Sequence, residues 1–372
     1  MRLAERYSAF LDGVFSSYTL APESLAVYRI LFSLHALLFG SIPSLAYLSA
    51  FPDSFFTPPL GVAQLFGGFP SLWLCWLLHI ATVAACVCML LGYRTRYASL
   101  AYSLLCMTGY SFAFSLGKIN HNTGYLFVPL VFAFSDWGAR YSADELREGK
   151  HGQQQIHSGR SAAVVFCYAF ALGWMFFTAG VQKLIGGWLA FGTQATFGWF
   201  VNYYYAEHTR QFLAPLLIDI RIPAFWETAD WFTVLFECGF VIAAFRRRGI
   251  MLFCSFAVVF HFFVLNTLNI NSSGFLICYL AFVDWRGTAL HRLFVRPVEW
   301  MQHHRNITIV AALCITVLIT VVGMERGASI DALLTLAGIA QPQMLLAFAF
   351  ELTGLVIALR YIMQTARRVV KR

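Results

Sequence analysis

Residues 162–188 read AAVVFCYAFALGWMFFTAGVQKLIGGW, an apolar run whose one charge, Lys183, stands close to its end. A helix needs about 20 apolar residues to cross a bilayer, so the run reads as a membrane span. The rest of the chain has the same character. Of its 372 residues 59% are hydrophobic and 12% charged, against about 45–50% and about 25% in soluble domains. Such a composition cannot clothe a soluble surface, and the expected class is all-α, a polytopic integral membrane protein.

Apolar stretches predict about ten transmembrane helices, near 24–49, 70–92, 97–117, 122–137, 162–184, 229–245, 249–268, 271–285, 307–324 and 342–363. The fourth and eighth are short. Residues 1–20 place Leu3, Tyr7, Phe10, Leu11 and Val14 at helical spacing without a continuous apolar core. That pattern predicts an interfacial amphipathic helix rather than a signal peptide. The aromatic 185–228 connection reads as an outer-side cap, and 291–372 as two further spans with a basic cytoplasmic tail.

The net charge of +8 follows topology and calls for no nucleic-acid partner. Twenty of the 26 basic residues fall in one alternating set of loops, among them Arg94, Arg96, Arg140, Arg160, Arg246, Arg247, Arg248, Arg286 and Arg367. The opposite set holds only Lys118, Arg210, Arg221 and Arg326. The positive-inside rule then puts both termini in the cytoplasm and Lys183 at the outer side. The expected setting is a cell membrane, the inner membrane of a bacterium. The nine cysteines lie in apolar runs without CxxC or Cys/His spacing, so neither a metal site nor a disulfide framework is expected.

NHNTGYLFVPLVFAFSDW (120–137) is similar to NINSSGFLICYLAFVDW (269–285). Both open on asparagines, continue apolar and end in Asp-Trp. Each follows a basic loop by one span, so 70–137 and 229–285 read as a parallel three-helix repeat. The copies differ at the outer loop. The first carries Lys118, Asn120, His121 and Asn122, and the second Asn269, Asn271, Ser272 and Ser273. A histidine in a polar loop is more often solvated than functional, and both readings of His121 stay open.

Ionisable groups inside spans are costly and mark function by default. Here they are Arg29, Lys183, Glu237 and Glu351, with His35, His79 and His261 as weaker cases. Arg29 lies near the inner edge and favours a structural role through headgroups, carboxylates or carbonyls. Lys183 admits two readings. It snorkels to the interface, or it is a desolvated general base. Small residues precede it (Thr178-Ala179-Gly180) and Gly186-Gly187 follow it, which lets a partner helix or ligand approach.

APESLAVYRILFSL, NHNTGYLFVPLVFAFSDW and TAGVQKLIGGW resemble the transmembrane domain of vitamin K-dependent γ-glutamyl carboxylase and its bacterial relatives, the HTTM family. The resemblance covers about residues 20–290. It implies that Lys183 is the base that deprotonates a lipid quinol and that His121 serves the same chemistry. Asn120, Asn122, Lys118, Trp188, His261 and Asn266 are then the candidate cofactor-binding residues. The cofactor is vitamin K hydroquinone or menaquinol, with O2 and CO2 in a true carboxylase. The implied partners are membrane lipid, the quinol and a small secreted peptide modified at the outer face. Gln182, Ile185 and Gly186-Gly187 depart from the carboxylase pattern, and His261 and Asn266 are spaced more widely than the family's His-x-x-Asn. Two other classes remain. The chain could be a non-catalytic maturation, export or immunity partner of a secreted peptide, or a transporter built on the repeat.

Overall fold

The computed structural model describes residues 3–39, 42–43, 45–59, 61–117, 122–147, 158–210, 212–326, 334–335 and 342–370. Among them there is no strand. The helices are α1 (Leu3–Ser17), α2 (Pro22–Leu38), α3 (Leu72–Leu91), α4 (Thr95–Ala113), α5 (Asn122–Phe132), α6 (Ala143–Arg147), α7 (Ser158–Ile185) and α8 (Ala195–Val201). They continue as α9 (Ala214–Leu217), α10 (Pro223–Ala243), α11 (Arg247–Leu268), α12 (Ser273–Tyr279), α13 (Ala289–His303), α14 (Arg305–Arg326) and α15 (Pro342–Val370). Five segments are long and apolar enough to cross a membrane: Leu72–Leu91, Thr95–Leu116, Gly159–Ile185, Arg247–Leu268 and Met344–Val369. The chain is thus an all-α protein of membrane type.

Several elements depart from the expected spans for visible reasons. Pro43 lies five residues beyond the end of α2 at Leu38, and the chain goes on as 3-10 turns at Ala46–Ala50, Asp53–Phe55 and Val62–Leu65 rather than as helix to residue 49. Helices α5 and α12 have 11 and 7 residues, shorter than a bilayer needs. Helix α10 is long enough at 21 residues, but it carries Glu227, Asp230 and Glu237. The basic segment after Trp285, read as a loop, contains the 15-residue helix α13.

The chain folds into two compact units that alternate along the sequence. One comprises Thr19–Val165 and Val283–Pro342. Within it α3 packs on α2, α4 and α14, and α4 packs on α5. Phe32 stacks on Tyr125 with ring centroids 4.5 Å apart. Arg29 is fully buried at 0% exposure. Its guanidinium donates to the carbonyls of Trp137 (2.8 Å), Arg140 (3.4 Å) and Tyr141 (2.6 Å). This is the structural role its position suggested: the fork collects carbonyls of the irregular turn after α5, which would otherwise be buried without donors.

The same unit holds both Asp-Trp corners, and it holds them alike. Asp136 accepts from Ser161 Oγ (2.8 Å) and Arg160 (2.8 Å), while its amide donates back to Ser161 Oγ (3.0 Å). Asp284 accepts from Ser24 Oγ (2.7 Å) and Arg286 (2.7 Å), while the Trp285 amide donates to Ser24 Oγ (3.0 Å). Each serine sits in the first turn of a long helix, α7 or α2. The aspartates therefore pin helix starts. Asp144 caps the start of α4 by accepting from the Arg94 amide (2.8 Å), the Thr95 amide (2.7 Å) and Thr95 Oγ1 (2.8 Å). Neighbouring Glu145 hydrogen-bonds Arg140 and pushes its guanidinium above the ordinary value.

The second unit comprises Met1–Tyr18, Phe166–Phe282 and Gln343–Arg372. Helix α1 forms as expected, with Tyr7 and Phe10 exposed and Val14 buried. Helix α10 packs on α8 and α11, and α11 on α9 and α12. Residues 195–226 make a small core of their own, in which Phe200, Ala214, Ile218 and Trp226 are buried together.

Candidate functional site: Lys183 and the acidic face of α10

Helices α7 and α10 meet at glycines. A Cβ on Gly173 would lie 2.9 Å from Val241 Cα, and one on Gly180 would lie 2.9 Å from the Cys238 amide and from Glu237 Cβ. Seven residues separate the two glycines, so they share one helix face. Only hydrogen fits there, and the backbones come close enough for one turn further along α7 to reach α10. Phe176, between the glycines, stacks on Phe240 at 4.1 Å and 5°.

Lys183 is the residue that this approach delivers. Its Nζ donates to both oxygens of Glu237, at 2.7 Å to Oε1 and 2.5 Å to Oε2. Glu237 is 6% exposed; the lysine is half-buried. Two residues past α7 the chain turns at Gly187 (φ +79°), which folds Trp188 back so that Nζ lies 5.4 Å from the centre of its indole. The ammonium therefore has a carboxylate and a ring face as neighbours. A snorkelling lysine would send its head outward to water; this one is held against the adjacent helix.

Glu237 is the last of three carboxylates on α10. Residues 227, 230 and 237 lie three and seven apart and so fall on one face. Glu227 Oε1 accepts from the amides of Gly192 (2.9 Å) and Gln194 (3.2 Å). Asp230 accepts from the amides of Ala195 (2.8 Å) and Thr196 (2.7 Å) and from Thr196 Oγ1 (2.5 Å). These acids satisfy free amides at the start of α8. The face thus fastens successive points of 183–196: a side-chain ammonium, then the loop, then the start of a helix. The sequence reading singled out Glu237 without its partner and passed over Glu227 and Asp230. The E-x-x-D-x6-E spacing was the signal that could have found them.

The other sequence candidates divide. Trp188 joins Lys183, as above. His261 Nε2 is 2.8 Å from Tyr279 Oη, with the two rings stacked. Asn266 is buried; its side-chain amide donates to the Phe262 carbonyl (2.7 Å), and its own carbonyl accepts from the Leu213 amide (3.0 Å). It thereby ties the aromatic segment to α11. Asn122 opens α5. Lys118, Asn120 and His121 lie outside the described residues. Glu351, the other acid singled out in an apolar run, is fully buried. Among the described residues no cluster of three His, Cys, Asp or Glu could hold a metal ion.

No family model, no curated protein and no solved structure matches the chain.

Proposed function

We propose that the chain is a membrane enzyme of the γ-glutamyl carboxylase-like, HTTM type, with about ten transmembrane helices, acting through a lipid quinol at the outer face. The observation that carries this reading is the Lys183–Glu237 pair. A half-buried cation held by a buried carboxylate, with an indole beside it, fits a phenolic headgroup in three respects. The carboxylate takes up a proton, the ammonium balances the negative charge left on the ring oxygen, and Trp188 offers a face for the ring.

The two side chains divide the work. Lys183 Nζ meets the phenolic hydroxyl. A proton arriving at Nζ is matched by one leaving Nζ for Glu237, so the pair gains one proton and Lys183 remains an ammonium. In the carboxylases that the sequence resembles, the quinol so activated reacts with O2 and lets CO2 add to glutamate. The charge count supports an outer location for Lys183 and for His121, to which the resemblance gives a part in the same chemistry. The matching Asp136 and Asp284 corners support the parallel repeat. The acceptor is a small secreted peptide.

A second reading has its own observation. Glu227 and Asp230 fasten backbone, and Lys183–Glu237 can be a third clasp of the same kind. The protein would then be a non-catalytic maturation, export or immunity partner of a secreted peptide.

Purified protein supplied with vitamin K hydroquinone or menaquinol under O2 separates the two. The enzymatic reading expects quinone or epoxide by chromatography and incorporation of labelled CO2 into a co-expressed peptide. Absence of any turnover in wild type, with Lys183→Ala and Lys183→Arg both supporting the cellular role, would leave only the clasp.

A further inference from the structure

Helix α3 and the segment that begins with α4 are both long and apolar enough to cross a membrane, and only residues 92–94 join them. A turn between two such helices lies at the bilayer surface. With its flanks it reads Gly92-Tyr93-Arg94-Thr95-Arg96-Tyr97.

The fold gains nothing from the two arginines here. Gly92 (φ +65°) and Arg94 (φ +44°) both take the left-handed conformation, which suits glycine and strains an arginine. The turn is held through backbone instead. Asp144 accepts from the amides of Arg94 and Thr95, and its own amide donates to the Gly92 carbonyl at 3.0 Å. Arg96 stands in the first turn of α4, where a cation opposes the helix dipole. Both positions are ones that local structure disfavours for a cation, so the charge has another use.

The side chains are placed to meet something outside the chain. Arg94 and Arg96 are exposed, and among the described residues neither pairs with a carboxylate. The acids of the neighbouring segment are engaged: Asp144 on the turn itself, and Glu145 on Arg140 (3.0 Å) and the Tyr141 amide (2.9 Å). The Arg96 guanidinium lies over the ring of Phe134, 5.1 Å from its centre. That contact takes up the face of the guanidinium and leaves the N–H groups in its plane for an anion. Tyr93, Phe134 and Tyr97, the last 69% exposed, surround the pair. Exposed tyrosines at the end of an apolar helix suit the level of lipid headgroups.

We propose that the turn between α3 and α4 is a docking surface for anionic phospholipid. Arg94 and Arg96 meet the headgroup, and Tyr93, Tyr97 and Phe134 lie at the acyl boundary. One arginine at an anionic surface corresponds to about five-fold in affinity. The pair therefore predicts a preference of about 25-fold for phosphatidylglycerol over phosphatidylcholine, weakening as salt rises.

The test uses the full chain in vesicles of equal parts phosphatidylglycerol and phosphatidylcholine. The photo-crosslinking residue p-benzoylphenylalanine replaces Tyr97, and lipid adducts are counted by mass spectrometry. The otherwise unchanged chain is expected to capture phosphatidylglycerol preferentially. R94G/R96Q should capture the two lipids nearly equally, yet melt in detergent no earlier than the parent, because glycine suits the turn. R367Q/R368Q should keep the preference, and inorganic phosphate should not compete. Equal capture by the parent, or an unchanged R94G/R96Q, overturns the proposal. So does full competition by phosphate, or a preference lost equally in R367Q/R368Q. R94G/R96Q melting well below the parent would make the arginines structural and overturn it too.

Discussion

Two cations lie within apolar helices, and the protein treats them differently. Arg29 is sealed in and surrounded by carbonyls, three of which accept its hydrogen bonds. Lys183 is half-buried and faces a carboxylate. Carbonyls do not titrate, and a guanidinium does not give up its proton, so the first arrangement can only hold structure. An amine and a carboxylate both exchange protons, and solvent or a ligand can still reach this pair. Burial alone does not distinguish a clamp from a reactive group; the partner does.

The comparison can be broken first at Arg29. Replacement by leucine leaves the Trp137 and Tyr141 carbonyls without donors, at about 1–3 kcal/mol each. Thermal unfolding in detergent should show a loss of about 3 kcal/mol or more, and Arg29→Lys should recover little of it because an ammonium cannot reproduce the fork. A stable Arg29→Leu protein would remove the clamp. Glu237→Gln should cost less, about 1–2 kcal/mol, because Lys183 can turn to solvent. Its signature is a loss of turnover larger than the loss of stability. Asp230→Ala removes an acceptor from the start of α8, a loss of about 1 kcal/mol, visible as faster hydrogen exchange at Ala195 and Thr196. Trp188→Ala is the smallest, about 0.5–1 kcal/mol for a partly exposed cation–π contact. It should raise KM for quinol more than it lowers kcat.

The features legible in the sequence were those written in composition and local period. The apolar runs read at 70–92 and 162–184 became the long helices α3 and α7, and the amphipathic spacing within 1–20 became α1. Arg29 was readable as structural because it lies near a span edge. Lys183 and Glu237 each stood out as a charge in apolar surroundings. Their pairing did not, because 54 residues separate them and nothing local records that Gly173 and Gly180 let α7 and α10 meet. Asp230 was less legible for a related reason: the spacing of the α10 acids places it on the face of Glu237, but its partners, two amides and a hydroxyl at the start of α8, lie 34 and 35 residues away. Helix α13 was masked by its own cations, since a basic inner loop and a basic surface helix share a composition and differ only in period.

The central claim is that the Lys183–Glu237 pair carries out a reaction as well as fastening two helices. The most direct measurement is quinol turnover and melting temperature determined together on wild type and Lys183→Ala. The proton-accepting pair contributes about 10²–10⁴ in rate, so Lys183→Ala should lose turnover on that scale, well beyond the drop in melting temperature that follows from leaving the buried Glu237 carboxylate without its partner. Wild-type turnover that survives Lys183→Ala, or a variant whose lost turnover matches an equally large loss of fold, would contradict the claim.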